Sequence, residues 1–124
     1  MKTTEVSEIA RDWVKEKGHF SDVTVRLDEV IEESPKDALR IIEEIHHLLI
    51  SCEPRDIESW ALLAALPLEN LLAKHGEVVI EEVEIIAKND AELRKLLSGV
   101  WQNEMSDELF GRVQGLSDPG FRFP

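Results

Sequence analysis

The chain has 124 residues, of which 26 are acidic and 14 basic, so its formal net charge is −12 at pH 7. Hydrophobic residues make up 43% of it, and a chain of this length buries most of its unfolded-state surface, so we expect one domain that folds without disulfides or a structural metal. The acidic residues are spread along the whole chain. This pattern argues against nucleic acid and anionic membranes as ligands and favours a basic protein partner.

The single cysteine, Cys52, excludes an internal disulfide and any zinc site built on two or more thiolates. It completes an apolar helical stripe, so we expect a small buried hydrophobic residue. The N-terminus lacks the apolar segment of a signal peptide, and the longest apolar run, residues 60–68, has about half the length of a membrane span. We therefore expect a cytoplasmic protein.

The first half of the chain reads as three helices. Apolar residues from Val6 to Val14 recur at helical spacing, and Gly18 is a plausible stop. The stretch Asp22–Glu33 begins with a strand-like alternation, but its helical pattern runs longer and predicts a second helix. Ser34-Pro35 is a strong helix start, which predicts a third helix that ends at Glu53-Pro54.

The second half of the chain carries a proline and two further start signals. Pro67 predicts a break or sharp kink, followed by a short helix that stops at Gly76. Residues 77–88 then form one helix, and Asn89-Asp90 opens another, which we expect to reach Trp101. Ser106 starts the last helix. The domain would cover residues 1–116, followed by a C-terminal tail at 117–124.

This pattern predicts an all-α fold of seven or eight short helices in a single domain. Short connections and one apolar stripe per helix suit either a bundle or a short superhelix of antiparallel helix pairs. No strict repeat period distinguishes the two arrangements, so both stay open.

The motif Glu43-Glu44-Ile45-His46-His47 contains a Glu and a His three residues apart twice over, as used in di-iron helical bundles. Such sites need a pair from each of two helices, and only this helix has one. We therefore expect Glu43, Glu44 and His47 to lie on the surface without a metal, and His46 to lie at the core edge, hydrogen-bonded to a neighbour. No cofactor is expected.

Catalytic motifs are missing from the sequence, which has no Gly-rich phosphate loop, zinc-protease helix or nucleophile elbow. Cys52 and the histidines before it would point in different directions on one helix. We identify no catalytic residue and expect the domain not to be an enzyme. Trp13, Trp60 and Trp101 each fall on an apolar stripe, so we expect them to anchor the core.

A longer pattern begins with Pro67-Leu68-Glu69-Asn70-Leu71-Leu72 and continues through His75-Gly76, Val83-Glu84, Leu97-Ser98-Gly99-Val100-Trp101 and Met105. This pattern resembles an uncharacterised bacterial all-helical family known only as a domain of unknown function. The resemblance covers residues 34–113. It implies an all-helical fold and importance for five residues: Glu69, His75, Gly76, Gly99 and Trp101.

Two hypotheses for function follow. The first is a non-catalytic protein-interaction module, such as an immunity or antitoxin-like protein, that binds a basic partner through an acidic face. The best-defined acidic strip is Glu77, Glu81 and Glu84, which share one side of a helix. The alternative is a small-molecule-binding or enzymatic domain with a pocket near Glu69, His75 and Trp101.

Overall fold

The computed structural model describes all 124 residues, which form seven α-helices and no strand. The predicted all-α fold is confirmed, including the helical assignment of the ambiguous second segment. The helices are α1 (Thr3–Lys15), α2 (Asp22–Glu33), α3 (Pro35–Ile50), α4 (Ile57–Leu63), α5 (Glu69–Asn89), α6 (Ala91–Leu97) and α7 (Asp107–Leu116), and a π-helical turn (Ala64–Leu68) joins α4 to α5.

Polar side chains set where most of the later helices begin. The carboxylate of Asp56 accepts from the Ser59 amide at 3.1 Å at the start of α4, and Ser106 Oγ accepts from the Leu109 amide at 3.1 Å at the start of α7. These bonds satisfy amides that have no partner within the helix. The starts predicted at Pro35 and near Ser106 are confirmed.

Of the break or sharp kink predicted at Pro67, the break does not occur, and α5 begins two residues later at Glu69. The helix runs through this position because the chain widens into the π-helical turn, which contains Pro67. One extra residue in the turn accommodates a ring that cannot donate a hydrogen bond. The helix boundary predicted at Gly76 lies one residue earlier, at His75, whose backbone is non-helical (φ −137°, ψ 25°), so α5 consists of two helical segments joined across a kink.

The core contains 30 buried apolar residues drawn from every helix, from Val6 in α1 to Val113 in α7. Helix α3 lies at its centre and packs against α1, α2, α4 and α5. Helices α1 and α5 both contact α3, although neither is next to α3 in the chain. The helices therefore surround α3 as in a bundle, rather than stacking in chain order as in a superhelix.

One expectation about burial is wrong, and the C-terminal tail proves to be part of the packed structure. Cys52 is exposed rather than buried, because α3 ends at Ile50 and the chain turns outward there. The C-terminal tail packs against the core: Phe121 and Phe123 lie with ring centroids 5.7 Å and 5.2 Å from Trp60, and the Asp118 amide donates to the Arg94 carbonyl.

None of the helices combines the length and the apolar character that crossing a membrane would require.

Candidate functional site

The outward side of α5 after the kink carries both acidic and apolar side chains. Glu77, Glu81 and Glu82 are exposed and form no ion pair within the protein. Val78 and Ile85 lie between them with 53% and 61% of their surface exposed. Helical spacing places all five residues on one side of α5. We call these five residues the acidic α5 face.

Glu84, the third member of the predicted acidic strip, has a different role. Its carboxylate accepts from both Nε and Nη2 of Arg112, the first at 3.3 Å, and so connects α5 to α7. The carboxylate of Glu84 raises the pKa of Arg112 through these bonds. Glu84 is therefore paired within the protein, because the tertiary structure brings Arg112 beside it.

The loop after α6 is held by Glu69. Its Oε1 accepts from the Trp101 amide at 2.9 Å, and its Oε2 accepts from Asn103 Nδ2 at 3.1 Å. Asn103 has a left-handed backbone (φ 50°), which asparagine tolerates better than most residues. Both carboxylate oxygens of Glu69 are thus used to fix the loop.

Trp101 is 76% exposed, so the prediction that it anchors the core is wrong. Helix α6 ends at Leu97, and beyond that residue the helical spacing no longer determines which side chains point inward. Val100 takes the buried position instead, and the indole of Trp101 projects from the loop. Trp13 and Trp60 are buried as predicted.

His75 lies at the kink and does not join Glu69 and Trp101. It lines a groove together with Lys74, Glu104 and Met105, and neither Glu69 nor Trp101 borders that groove. Its Nε2 is buried without a hydrogen-bond partner and lies 3.6 Å from the Glu32 carboxylate, beyond hydrogen-bond range. Of these three residues, the structure therefore brings together only Glu69 and Trp101, through the backbone amide of Trp101.

A buried polar network connects three separate segments of the chain. Trp60 Nε1 donates to His46 Nδ1 at 3.1 Å, and His46 Nε2 lies 3.2 Å from Asp90 Oδ2. Since Nδ1 accepts, the neutral ring carries its proton on Nε2 and donates it to Asp90. His46 is completely buried, deeper than the core-edge position predicted for it, and this burial lowers its pKa despite the opposing charge of Asp90.

Asp90 is the N-cap of α6. Its Oδ1 accepts from the amides of Glu92 and Leu93, both at 3.0 Å, which leaves Oδ2 for His46. Burial alone would raise the pKa of Asp90, but the Leu93 amide and the neighbouring His46 outweigh it, and the pKa is lowered. The carboxylate is therefore held in its charged form.

The exposed edge of this network is formed by α3. His47 Nε2 lies 3.6 Å from Asp90 Oδ2, and Glu43, one turn earlier, lines the same cleft as His47 and Asp90. Burial raises the pKa of Glu43; His47 opposes this rise, and the charge of Asp90 adds to it. His47 is exposed as predicted, whereas Glu43 and Glu44 are half-buried.

Residues 12–119 match a family of unknown function, DUF6869. The chain belongs to this family. The match covers the whole segment in which the sequence pattern resembled such a family and extends it in both directions. No curated protein and no solved structure matches the chain.

Sequence reasoning about this DUF6869 member missed two groups of residues. Val78 and Ile85 carry no charge, and Glu82 lies about 140° around the helix from Glu77, so the acidic strip Glu77, Glu81 and Glu84 does not include them. Asp90 was recognised only as a helix start, since no sequence pattern connects it with His46, 44 residues away. An aliphatic residue on the polar side of a helix is the one local signal that could have revealed the first group.

Proposed function

We propose that this domain is a non-catalytic protein-interaction module that binds a basic protein partner through the acidic α5 face. The observation that carries the proposal is the combination on one helix of three carboxylates without intramolecular cations and two aliphatic side chains that are more than half exposed. The small size and negative charge of the domain fit best with immunity and antitoxin-like proteins, which cover a basic partner.

The two kinds of side chain on this face would contribute differently to binding. Unpaired carboxylates attract a cationic partner over a distance of about 8 Å at physiological salt and raise its association rate. Val78 and Ile85 would lose their contact with water in the complex, at about 25 cal/mol per Å² of apolar surface. A partner surface that alternates basic and apolar residues would satisfy both groups.

The alternative, a pocket near Glu69, His75 and Trp101, gains no support from the arrangement of these residues. The carboxylate of Glu69 is occupied by the loop, and His75 lines a different groove. The exposed indole of Trp101 remains available to a partner. It suits an interaction surface better than the wall of a small-molecule pocket.

The test compares two variants that change the same number of charges. The first, Glu77→Gln/Glu81→Gln/Glu82→Gln, neutralises the acidic α5 face. The control, Glu8→Gln/Asp12→Asn/Glu16→Gln, neutralises three exposed carboxylates, two in α1 and one at its C-cap, that also form no ion pair. Each variant removes three negative charges from the formal net charge of −12, so any effect of total charge is the same in both.

Proteins captured from a lysate of the source organism by the wild-type chain are identified, and their association rates are measured at low and high salt. We expect a basic partner whose association slows about tenfold in the α5 variant at low salt and hardly at all in the α1 control. Equal rates in the two variants would exclude the acidic α5 face as the binding surface.

A further inference from the structure

The cleft between the C-terminal halves of α3 and α5 is lined by aliphatic side chains as well as by carboxylates. Ile50 at the end of α3 and Ile85 and Ile86 in α5 supply the aliphatic surface, and Ile85 is 61% exposed. Val78, which is 53% exposed, lies two turns before Ile85 on α5, about 10 Å away along the helix axis. Exposed aliphatic surface therefore continues from the cleft onto the acidic α5 face.

Glu43 is a half-buried carboxylate in this cleft that forms no ion pair within the protein. Burial raises its pKa; His47, the only basic residue that lines the cleft, opposes this rise, and the charges of Asp90 and Glu82 add to it. A cation supplied by another molecule would reduce the repulsion among these carboxylates. The cleft is therefore complementary to a surface that is both aliphatic and basic.

The backbone of the cleft limits the kind of segment that can cover it. The amides and carbonyls of α3 and α5 pair within each helix, and the structure has no strand. A partner segment over the cleft would gain no main-chain hydrogen bonds from these two helices, while its own backbone groups would lose water. A helix satisfies its own backbone groups. Helix-in-groove binding therefore suits this surface, and strand addition does not.

We propose that the cleft between α3 and α5 binds an amphipathic helix of the basic partner, whose aliphatic residues cover Ile50 and Ile85 and whose Lys or Arg side chain pairs with Glu43. This inference rests on the proposed function and specifies the segment of the partner that is bound. It places a further helix against two adjacent helices, as in the packing of the domain itself. It also adds α3 to an interface that otherwise lies on α5 alone.

The probe for this inference is a synthetic helical peptide of about 14 residues, or four turns, with Leu at helical spacing and Arg and Lys on either side of the Leu stripe. A scrambled peptide of the same composition has the same charge and the same hydrophobicity but lacks the amphipathic arrangement. Isothermal calorimetry measures the binding of each peptide to the untagged full-length chain. We expect the amphipathic peptide to bind at least about tenfold more tightly than the scrambled one.

Two pairs of variants locate the bound peptide. Glu43→Gln should weaken binding about tenfold, because it leaves a cation of the peptide unpaired, whereas Glu8→Gln removes one exposed carboxylate from α1 and should have no effect. Ile85→Ala should weaken binding about fivefold through the lost apolar contact. Its control, Val25→Ala, truncates a 41% exposed aliphatic residue of α2 and should bind like the wild type. All four variants should keep the wild-type circular dichroism spectrum.

Equal binding of the two peptides, or equal affinities in Glu43→Gln and Glu8→Gln, would overturn the inference. These results are separate from a failure of the proposed function, which would appear as equal association rates of the natural partner in the α5 variant and the α1 control. If the α5 variant slows the natural partner while Glu43→Gln leaves peptide binding unchanged, the partner binds α5 without entering the cleft, and only the inference fails.

Discussion

Trp60 and Trp101 are the same type of residue in opposite surroundings. Their comparison shows how the core and the loop after α6 differ. Trp60 is enclosed by Phe121 and Phe123 and donates to His46 within the core. Trp101 is held only through its backbone amide, and its ring is exposed. The first region uses its aromatic side chain for stability. In the second region, the carboxylate of Glu69 fixes a loop from which the indole projects into solvent.

The largest expected difference is in the free energy of unfolding after Trp60→Ala. Truncating a fully buried large aromatic residue costs about 3–5 kcal/mol, and here it also leaves His46 Nδ1 without a donor. Denaturant unfolding followed by circular dichroism measures this loss. The more conservative Trp60→Phe should still cost about 1–3 kcal/mol through the unpaired nitrogen. A loss below 1 kcal/mol in both variants would mean that the network contributes little to stability.

Gly99 lies where the two regions meet, and Gly99→Ala is expected to destabilise the fold by about 1–3 kcal/mol. A Cβ at this position would lie 2.8 Å from the Phe123 ring and 2.9 Å from the Ala64 Cβ. The control is Gly111→Ala in α7, where a Cβ meets nothing within 4 Å. That substitution should raise stability by about 0.5–1 kcal/mol, since alanine is the better helix former. Equal effects at both glycines would contradict the close packing at Gly99.

Glu69→Ala is expected to release the Trp101 loop while costing only about 1 kcal/mol of global stability, because the two hydrogen bonds it removes are exposed. Amide hydrogen exchange should become faster at residues 101–103 and stay unchanged in α3. Glu104→Ala removes an exposed carboxylate of the same loop that makes no hydrogen bond to it, and should leave exchange unaltered. Unchanged exchange in Glu69→Ala would show that the loop is held by other contacts.

The smallest effect is expected for Trp101→Ala. An exposed side chain contributes little to folding, so the free energy of unfolding should change by no more than about 0.5 kcal/mol. The substitution should nevertheless remove most of the tryptophan fluorescence that acrylamide quenches, because Trp13 and Trp60 are each about 1% exposed. Destabilisation above 2 kcal/mol would place the indole in the core after all and remove the contrast with Trp60.

The helical fold could be predicted because its signals are local. Apolar spacing along α3, Pro35 at its first position and Ser106 as a cap all act within one or two turns, and the structure keeps each of them. The boundary predicted at Gly76 is present as the kink at His75, whereas the break predicted at Pro67 is replaced by a π-helical turn. At Pro67, the packing of α4, the turn and α5 against α3 outweighs the local tendency of proline to end a helix.

By itself, the sequence determined the all-helical class, the negative charge and the burial of Trp13 and Trp60, because composition and periodicity encode them directly. Only the tertiary structure decided which carboxylates remain available. Glu84 is bound to Arg112, Glu69 to the Trp101 loop and Asp90 to His46, across separations of 28 to 44 residues. Such pairs form when packing brings distant segments together, and a lone acidic residue in a sequence carries no mark of the partner it will meet.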